Sequence, residues 1–187
     1  MSRKDDIIAC GRKFVDEKGV SKISVKAITA EVGCTRTLFY HYFNTKSELL
    51  TAILDSYVDS FMEDLEKWNK NRTKGDIEGA VRDIVTLARR DMFDEGNKSN
   101  FRRNLAKYEN AALYTEFINI VAKRFSEYLC ETTAKDYDEL HGIKIDYLYE
   151  TFYVLILGIT GFLRANPSAS DECLQAIITQ TLHMNDI

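Results

Sequence analysis

The sequence predicts an all-α fold, on three observations. A single proline, Pro167, and nine glycines in 187 residues leave few breakers, a poverty that favours long helices over a many-turned β architecture. Apolar residues recur at helical spacing, as in Ile7, Ile8, Gly11, Phe14 and Val15 near the start and Leu148, Phe152, Leu155, Ile159 and Phe162 near the end. Hydrophobic residues make up 45% of the chain, enough for one good core or for a small domain beside a larger one.

Taken in order, the first helix has Asp5 and Asp6 in its first turn, where acids complement the helix dipole, and Gly19 at its end. Ser24 is an N-cap for a short helix that carries Val25, Ile28 and Val32 and stops at Gly33. Thr35 caps a second short helix through Tyr40, because its hydroxyl can accept from orphan first-turn amides. Asn44-Thr45 breaks that helix, and Thr45 with Glu48 forms a capping box for a long amphipathic helix, Lys46 to about Asn71. Gly, Asn and charge content mark loops at 71–75, 94–97 and from Lys135 to Gly142. Between them, helices are expected over 76–93, 100–109, 111–133, 145–165 and 170–184.

Charge must be counted by region. Residues 1–50 hold nine Lys/Arg against six Asp/Glu, and residues 51–187 sixteen against twenty-three. Only the first segment suits a phosphate backbone. Cys10, Cys34, Cys130 and Cys173 form no CxxC pair and have no histidine at ligand spacing, so buried reduced thiols are expected rather than a disulfide framework or a metal site. The charged stretch Met1 to Asp6 lacks the apolar core of a signal peptide, and no apolar run approaches the roughly 20 residues that span a bilayer. A cytoplasmic protein without a membrane segment or cofactor is expected. His41, His141 and His183 have no nucleophile or carboxylate partner at catalytic spacing, which argues against an enzyme.

The two short helices and their flanks read Ser24-Val25-x-x-Ile28-x-x-x-Val32-Gly33-Cys34-Thr35-Arg36-Thr37-x-x-Tyr40-x-x-Phe43-x-x-Lys46-x-x-Leu49. This pattern resembles the helix-turn-helix head of the tetracycline-repressor (TetR) family, over roughly Ile7 to Leu50. The resemblance implies a DNA-binding domain at 1–50, a helical regulatory and dimerisation domain at 51–187, and a transcription regulator, more often a repressor released by a small molecule.

It also implies roles for residues. Thr35, Arg36 and Thr37 stand at the end of the recognition helix that enters the major groove. Arg36 can donate two bonds to a guanine, the other reading being a solvated surface arginine. Tyr40 and Lys46 match backbone-phosphate contacts, which fix register without reading sequence. Tyr42 matches a frequent backbone contact and is otherwise a packing aromatic, while Val25 and Lys26 match positions that approach DNA. Thr29, Val32, Cys34 and Thr37 depart from the family's usual alanine, alanine, valine and glycine, which leaves the operator open.

Beyond Leu50 the resemblance is architectural. The family usually pairs its last two long helices into a dimeric four-helix bundle, and Leu148, Leu155, Ile159 and Phe162, with Gly158 and Gly161 for close approach, supply such a stripe. The stripe can also pack within one subunit. Phe61, Trp68, Tyr108, Tyr114, Phe117, Tyr147 and Phe152 offer an aromatic lining for an effector, although aromatics at helical spacing are more often plain core. The surplus acids suit either a cationic effector or only a solvated face. The partners expected are double-stranded DNA carrying a pseudo-palindrome, a second copy of the chain and an unidentified small molecule; the rival reading is a helical interaction module whose head does not bind DNA.

Overall fold

The computed structural model describes residues 2–92, 105, 107, 110–142 and 144–184. Tyr108, the loop expected at 94–97 and most of the helix expected at 100–109 lie outside the described residues. Those described are helical, with no strand among them: α1 (Arg3–Lys18), a 3-10 turn (Val20–Lys22), α2 (Val25–Val32), α3 (Arg36–Tyr42), α4 (Lys46–Asn71), α5 (Ile77–Met92), α6 (Ala111–Glu131), α7 (Thr133–His141), α8 (Leu148–Ala165) and α9 (Asp171–Thr181). The chain divides into two compact units, Met1–Ser60 with Gly96–Phe117 and Phe61–Glu95 with Ile118–Ile187.

In the first unit each short helix is specified by its ends. The Ser24 hydroxyl accepts from the Ala27 amide at 3.1 Å and the Thr35 hydroxyl from Leu38 at 3.1 Å. Gly33 takes a left-handed conformation, φ +67°, so that the Cys34 amide reaches back to the Thr29 carbonyl at 2.9 Å and closes α2. At the start of α4, Thr45 accepts from the Glu48 amide at 3.1 Å, while the Glu48 carboxylate accepts from the Asn44 amide at 2.7 Å, one residue earlier than a simple capping box has it.

Ile7, Phe14, Val15, Ile28, Phe39, Phe43, Leu49 and Ile53 close the core of this unit. Arg12 fastens α1 to α4. Its guanidinium donates to the Ser56 carbonyl at 2.9 Å and lies 4.1 Å over the Tyr57 ring. Gly11 is buried where α1 meets α4, and a Cβ there would collide with the Ile53 side chain. Gly11→Val therefore overpacks a closed contact and is expected to lose about 2 kcal/mol in a urea melt; a loss below about 0.5 kcal/mol would mean that Ile53 swings clear.

In the second unit α9 packs chiefly on α5. The buried Arg89 of α5 binds the Asp171 carboxylate and the Ala169 carbonyl, tying down the entry to α9. The loop expected from Lys135 to Gly142 is instead α7. Lys135, Asp138 and Glu139 are exposed while Tyr137 is buried and Asp136 half-buried, and Gly142 with φ +66° marks the end of the helix rather than a loop. A short helix with one inward aromatic carries little periodicity, which is why its composition read as loop. The helix expected from 145 starts at Leu148, because Tyr147 adopts φ +55°.

In α8, Phe152, Ile156, Thr160 and Leu163 form the inward face. By length and composition alone this helix is apolar enough to cross a bilayer, with a mean hydropathy of 1.3, unlike the sequence reading; one packed face and one apolar outer face produce the same composition. All four cysteines are free thiols, but none is buried as expected: Cys10, Cys34 and Cys130 are half-buried and Cys173 is exposed.

Candidate nucleic-acid interface and body cavity

The recognition helix α3 keeps its packing and its polar groups on opposite sides. Phe39 is fully buried and its ring meets Phe43 and Tyr40 at 5.6 and 5.4 Å. Those contacts hold the helix, while Thr35, Arg36 and Thr37 at its N-terminal end are exposed. Tyr40 projects outward, 52% exposed, with its ring edge braced on Phe39. Lys26 and Lys46 are exposed, Val25 is half-buried in the first turn of α2, and Tyr42 is half-buried against His41, 4.9 Å between ring centres.

The cations differ in employment. On α1, Arg12 is engaged as above and Lys13 pairs with Glu31 at 3.0 Å, which raises the lysine and lowers the carboxyl from their ordinary values. Among the described residues, Lys26, Arg36 and Lys46 have no carboxylate partner. Unpaired cations beside exposed hydroxyls are what a phosphate backbone and a base edge require.

The second unit holds a partly open cavity of about 130 Å³. Aliphatic side chains such as Ile84, Val85, Leu174 and Ile178 form most of its wall, with Trp68, Tyr137 and Phe152, and no charged residue lines it. Of the aromatics singled out in the sequence, Trp68 and Phe152 reach this wall. Phe61 is core, its ring 5.4 Å from Phe125, and Tyr147 is 80% exposed. Tyr114 and Phe117 belong to the first unit.

Tyr137 was not foreseen, since it sits in the stretch read as loop. Behind Trp68 and Tyr137 stands another unforeseen group, Arg72, whose side chain is 2% exposed and whose guanidinium lies 5.6 and 5.4 Å from the two ring centres. It pairs with Asp136 at 2.5 Å, and Lys74 reaches the same carboxylate at 3.0 Å. The spacing of Trp68 and Arg72, one helical turn apart, was the available signal.

The residues proposed for a dimer face divide. Leu148, Leu155 and Ile159 line the cavity, and Leu155, Gly158, Ile159 and Phe162 line an outer groove with Ile177 and Thr181. Val154 beside them is 66% exposed, and nothing stands within 4 Å of a Cβ placed at Gly158 or Gly161.

A capped helix-turn-helix with an exposed, unpaired cationic rim, followed by a helical body, defines the class: a DNA-binding transcription regulator. Residues 7–53 match the family model described as bacterial regulatory proteins, tetR family. No curated protein sequence matches the chain.

Among solved structures, RolR in complex with resorcinol is similar over 97% of this chain and 86% of its own, with 18% identity and a TM-score of 0.66. The multidrug binding protein EbrR complexed with ethidium is similar over 96% and 98%, with 15% identity and a TM-score of 0.59. A TetR transcription regulator from Haloarcula marismortui is similar over 97% and 93%, with 16% identity and a TM-score of 0.58. At these identities the likeness is one of fold.

Proposed function

We propose that this regulator is a cytoplasmic homodimer that represses by occupying a pseudo-palindromic operator and is released when a small molecule enters the body cavity. The observation that carries the DNA half is the exposed, unpaired set Lys26 in α2, Arg36 at the start of α3 and Lys46 at the start of α4. Arg36 is the base reader, helped by Thr35 and Thr37; Tyr40, Tyr42 and Lys46 hold phosphates, and Val25 and Lys26 approach the backbone from α2. One head alone makes too few contacts for a stable complex, and two recognition helices about 34 Å apart read the two halves of a palindrome.

The groove on the outer face of α8 is the proposed dimer face, as its apolar side chains are left uncovered in one chain. Resorcinol, bound in one similar structure, is a small neutral ring compound and supports an effector of that kind here, whereas ethidium, bound in another, is a larger fused-ring cation. Release then follows if the effector binds the non-gripping arrangement of the dimer more tightly than the gripping one.

The test is selection of bound sequences from a random duplex pool by the purified chain, repeated across salt concentrations. A recovered palindrome whose affinity falls steeply with salt supports the proposal. No enrichment from folded protein would move the reading to a helical interaction module. For the dimer, Gly158→Glu adds a charge at a site open within the subunit, so it is expected to leave helix content unchanged and to weaken self-association by about a hundredfold in sedimentation. Unaltered association would put the dimer face elsewhere.

A further inference from the structure

We infer that the effector is a neutral, single-ring-sized molecule whose one polar group is a hydrogen-bond donor, held with its apolar body among α5, α8 and α9 and its donor toward Thr133 and Tyr137 of α7. This deepens the effector reading above and rests on it.

Size comes first. The cavity is about 130 Å³, close to the engineered apolar cavity of about 150 Å³ that stays dry and takes up benzene. A ligand of about seven heavy atoms fills it on that scale. Larger fused rings exceed that volume.

Charge comes second. No lysine, arginine, histidine or carboxylate lines the cavity, and an ion moved from water into such a wall loses its hydration with nothing in return. Two charges stand beyond the aromatic wall: Arg72, behind the Trp68 and Tyr137 rings and already paired with Asp136, and Asp83, whose carboxylate accepts from the Trp68 indole. Neither charge lines the cavity itself: a cation meets a guanidinium beyond the aromatic wall and a carboxylate screened from it by the indole, and an anion meets a guanidinium whose counter-ion is in place.

Hydrogen bonding comes third. Every polar side chain on the wall has already committed its donor. The Trp68 indole donates to Asp83 at 3.4 Å, Thr133 to Asn69 at 3.3 Å, Tyr137 to the Asp76 carbonyl at 3.3 Å, and Thr160 to the Ile156 carbonyl at 2.8 Å. Burial also pushes the Tyr137 hydroxyl up, so it stays neutral. What remains are lone pairs on hydroxyl oxygens, which can accept but not donate. Thr133 and Tyr137 stand one turn apart on the same face of α7, so their lone pairs gather at one end of the cavity.

Trp68 also faces the surface. Trp68 lines both the cavity and a surface groove between α4 and α5 that includes Asp83 and Arg90. It is the sole tryptophan of the chain, so its emission reports directly on occupancy.

The experiment titrates the full chain with cyclohexanol, cyclohexanone, cyclohexanecarboxylate and cyclohexylammonium, reading Trp68 emission and Tm. Cyclohexanol is expected to shift the emission and to raise Tm by about 4 °C at ten times its Kd. Cyclohexanone, which only accepts, is expected to bind about fivefold more weakly, and the two ions not to bind in the same range. Ala88→Phe, which fills the cavity from α5, is expected to abolish the cyclohexanol shift with helix content retained.

Tighter binding of the carboxylate, drawn to Arg72, or of the ammonium ion would overturn the neutral class, and tighter binding of the ketone would overturn the donor assignment. Binding of none of the four would overturn the cavity as the site. Operator binding is measured in parallel: cyclohexanol that binds without changing operator affinity upholds the ligand class and removes the effector role.

Discussion

Lys46→Ala is expected to weaken binding to all duplexes nearly alike and to reduce the salt slope by about one, whereas Arg36→Ala is expected to cost about 1 to 3 kcal/mol on the preferred sequence and little on others. The difference follows from what each group can touch. Lys46 is exposed at the first residue of α4, a flexible point charge suited to a phosphate that every sequence presents. Arg36 is exposed at the first residue of α3, the helix whose packing on Phe39 and Phe43 fixes its direction, and its planar fork matches the two acceptors of guanine in the major groove. Fluorescence anisotropy with the selected operator and a scrambled duplex, over a salt series, separates the two behaviours. Equal losses on both duplexes from Arg36→Ala would make that residue a phosphate contact, and an unchanged salt slope in Lys46→Ala would remove Lys46 from the interface.

The head was legible because short helices are specified locally. Ser24, Gly33, Thr35 and Thr45 with Glu48 each act on amides or carbonyls within five residues, so their spacing in the chain is their spacing in space. The division of labour along α3 was legible for the same reason, since an inward Phe39 next to an outward Tyr40 follows from 3.6 residues per turn.

The cavity was not legible. Its wall is drawn from helices far apart in sequence, and Ile84, Val85, Leu174 and Ile178 at helical spacing look the same whether they meet another side chain or an empty space. Aromatics were the natural signal and proved an uneven one: Trp68 and Phe152 reach the wall, Phe61 packs on Phe125, and Tyr147 is turned to solvent by its own backbone. The polar cluster behind the wall was hidden for a further reason. Arg72 and Asp136 are 64 residues apart, and a pairing across that distance leaves no trace in spacing.

That cluster carries a large expected stability effect. The Arg72 guanidinium is almost fully buried, and Asp136 is the carboxylate that balances it. Asp136→Ala leaves the cation buried against two rings without its counter-ion, which costs about 3 kcal/mol and lowers Tm by about 9 °C. The same pair sets an acid limb. Hydrogen bonds from Lys74 and then Arg72 hold the Asp136 carboxyl below its ordinary value of 3.8, against the opposing effect of burial. A carboxyl depressed in the folded state contributes its stability above the unfolded value and loses it as pH falls from there through the folded value. Wild type is therefore expected to lose stability relative to Asp136→Ala below about pH 4, the two melting curves converging in acid. Arg72→Leu combined with Asp136→Leu removes both charges at once and is expected to be more stable than Asp136→Ala alone, because an apolar pair leaves no ion stranded. A single variant that melts within about 1 °C of wild type at neutral pH would mean that the Trp68 and Tyr137 rings suffice to hold the buried guanidinium.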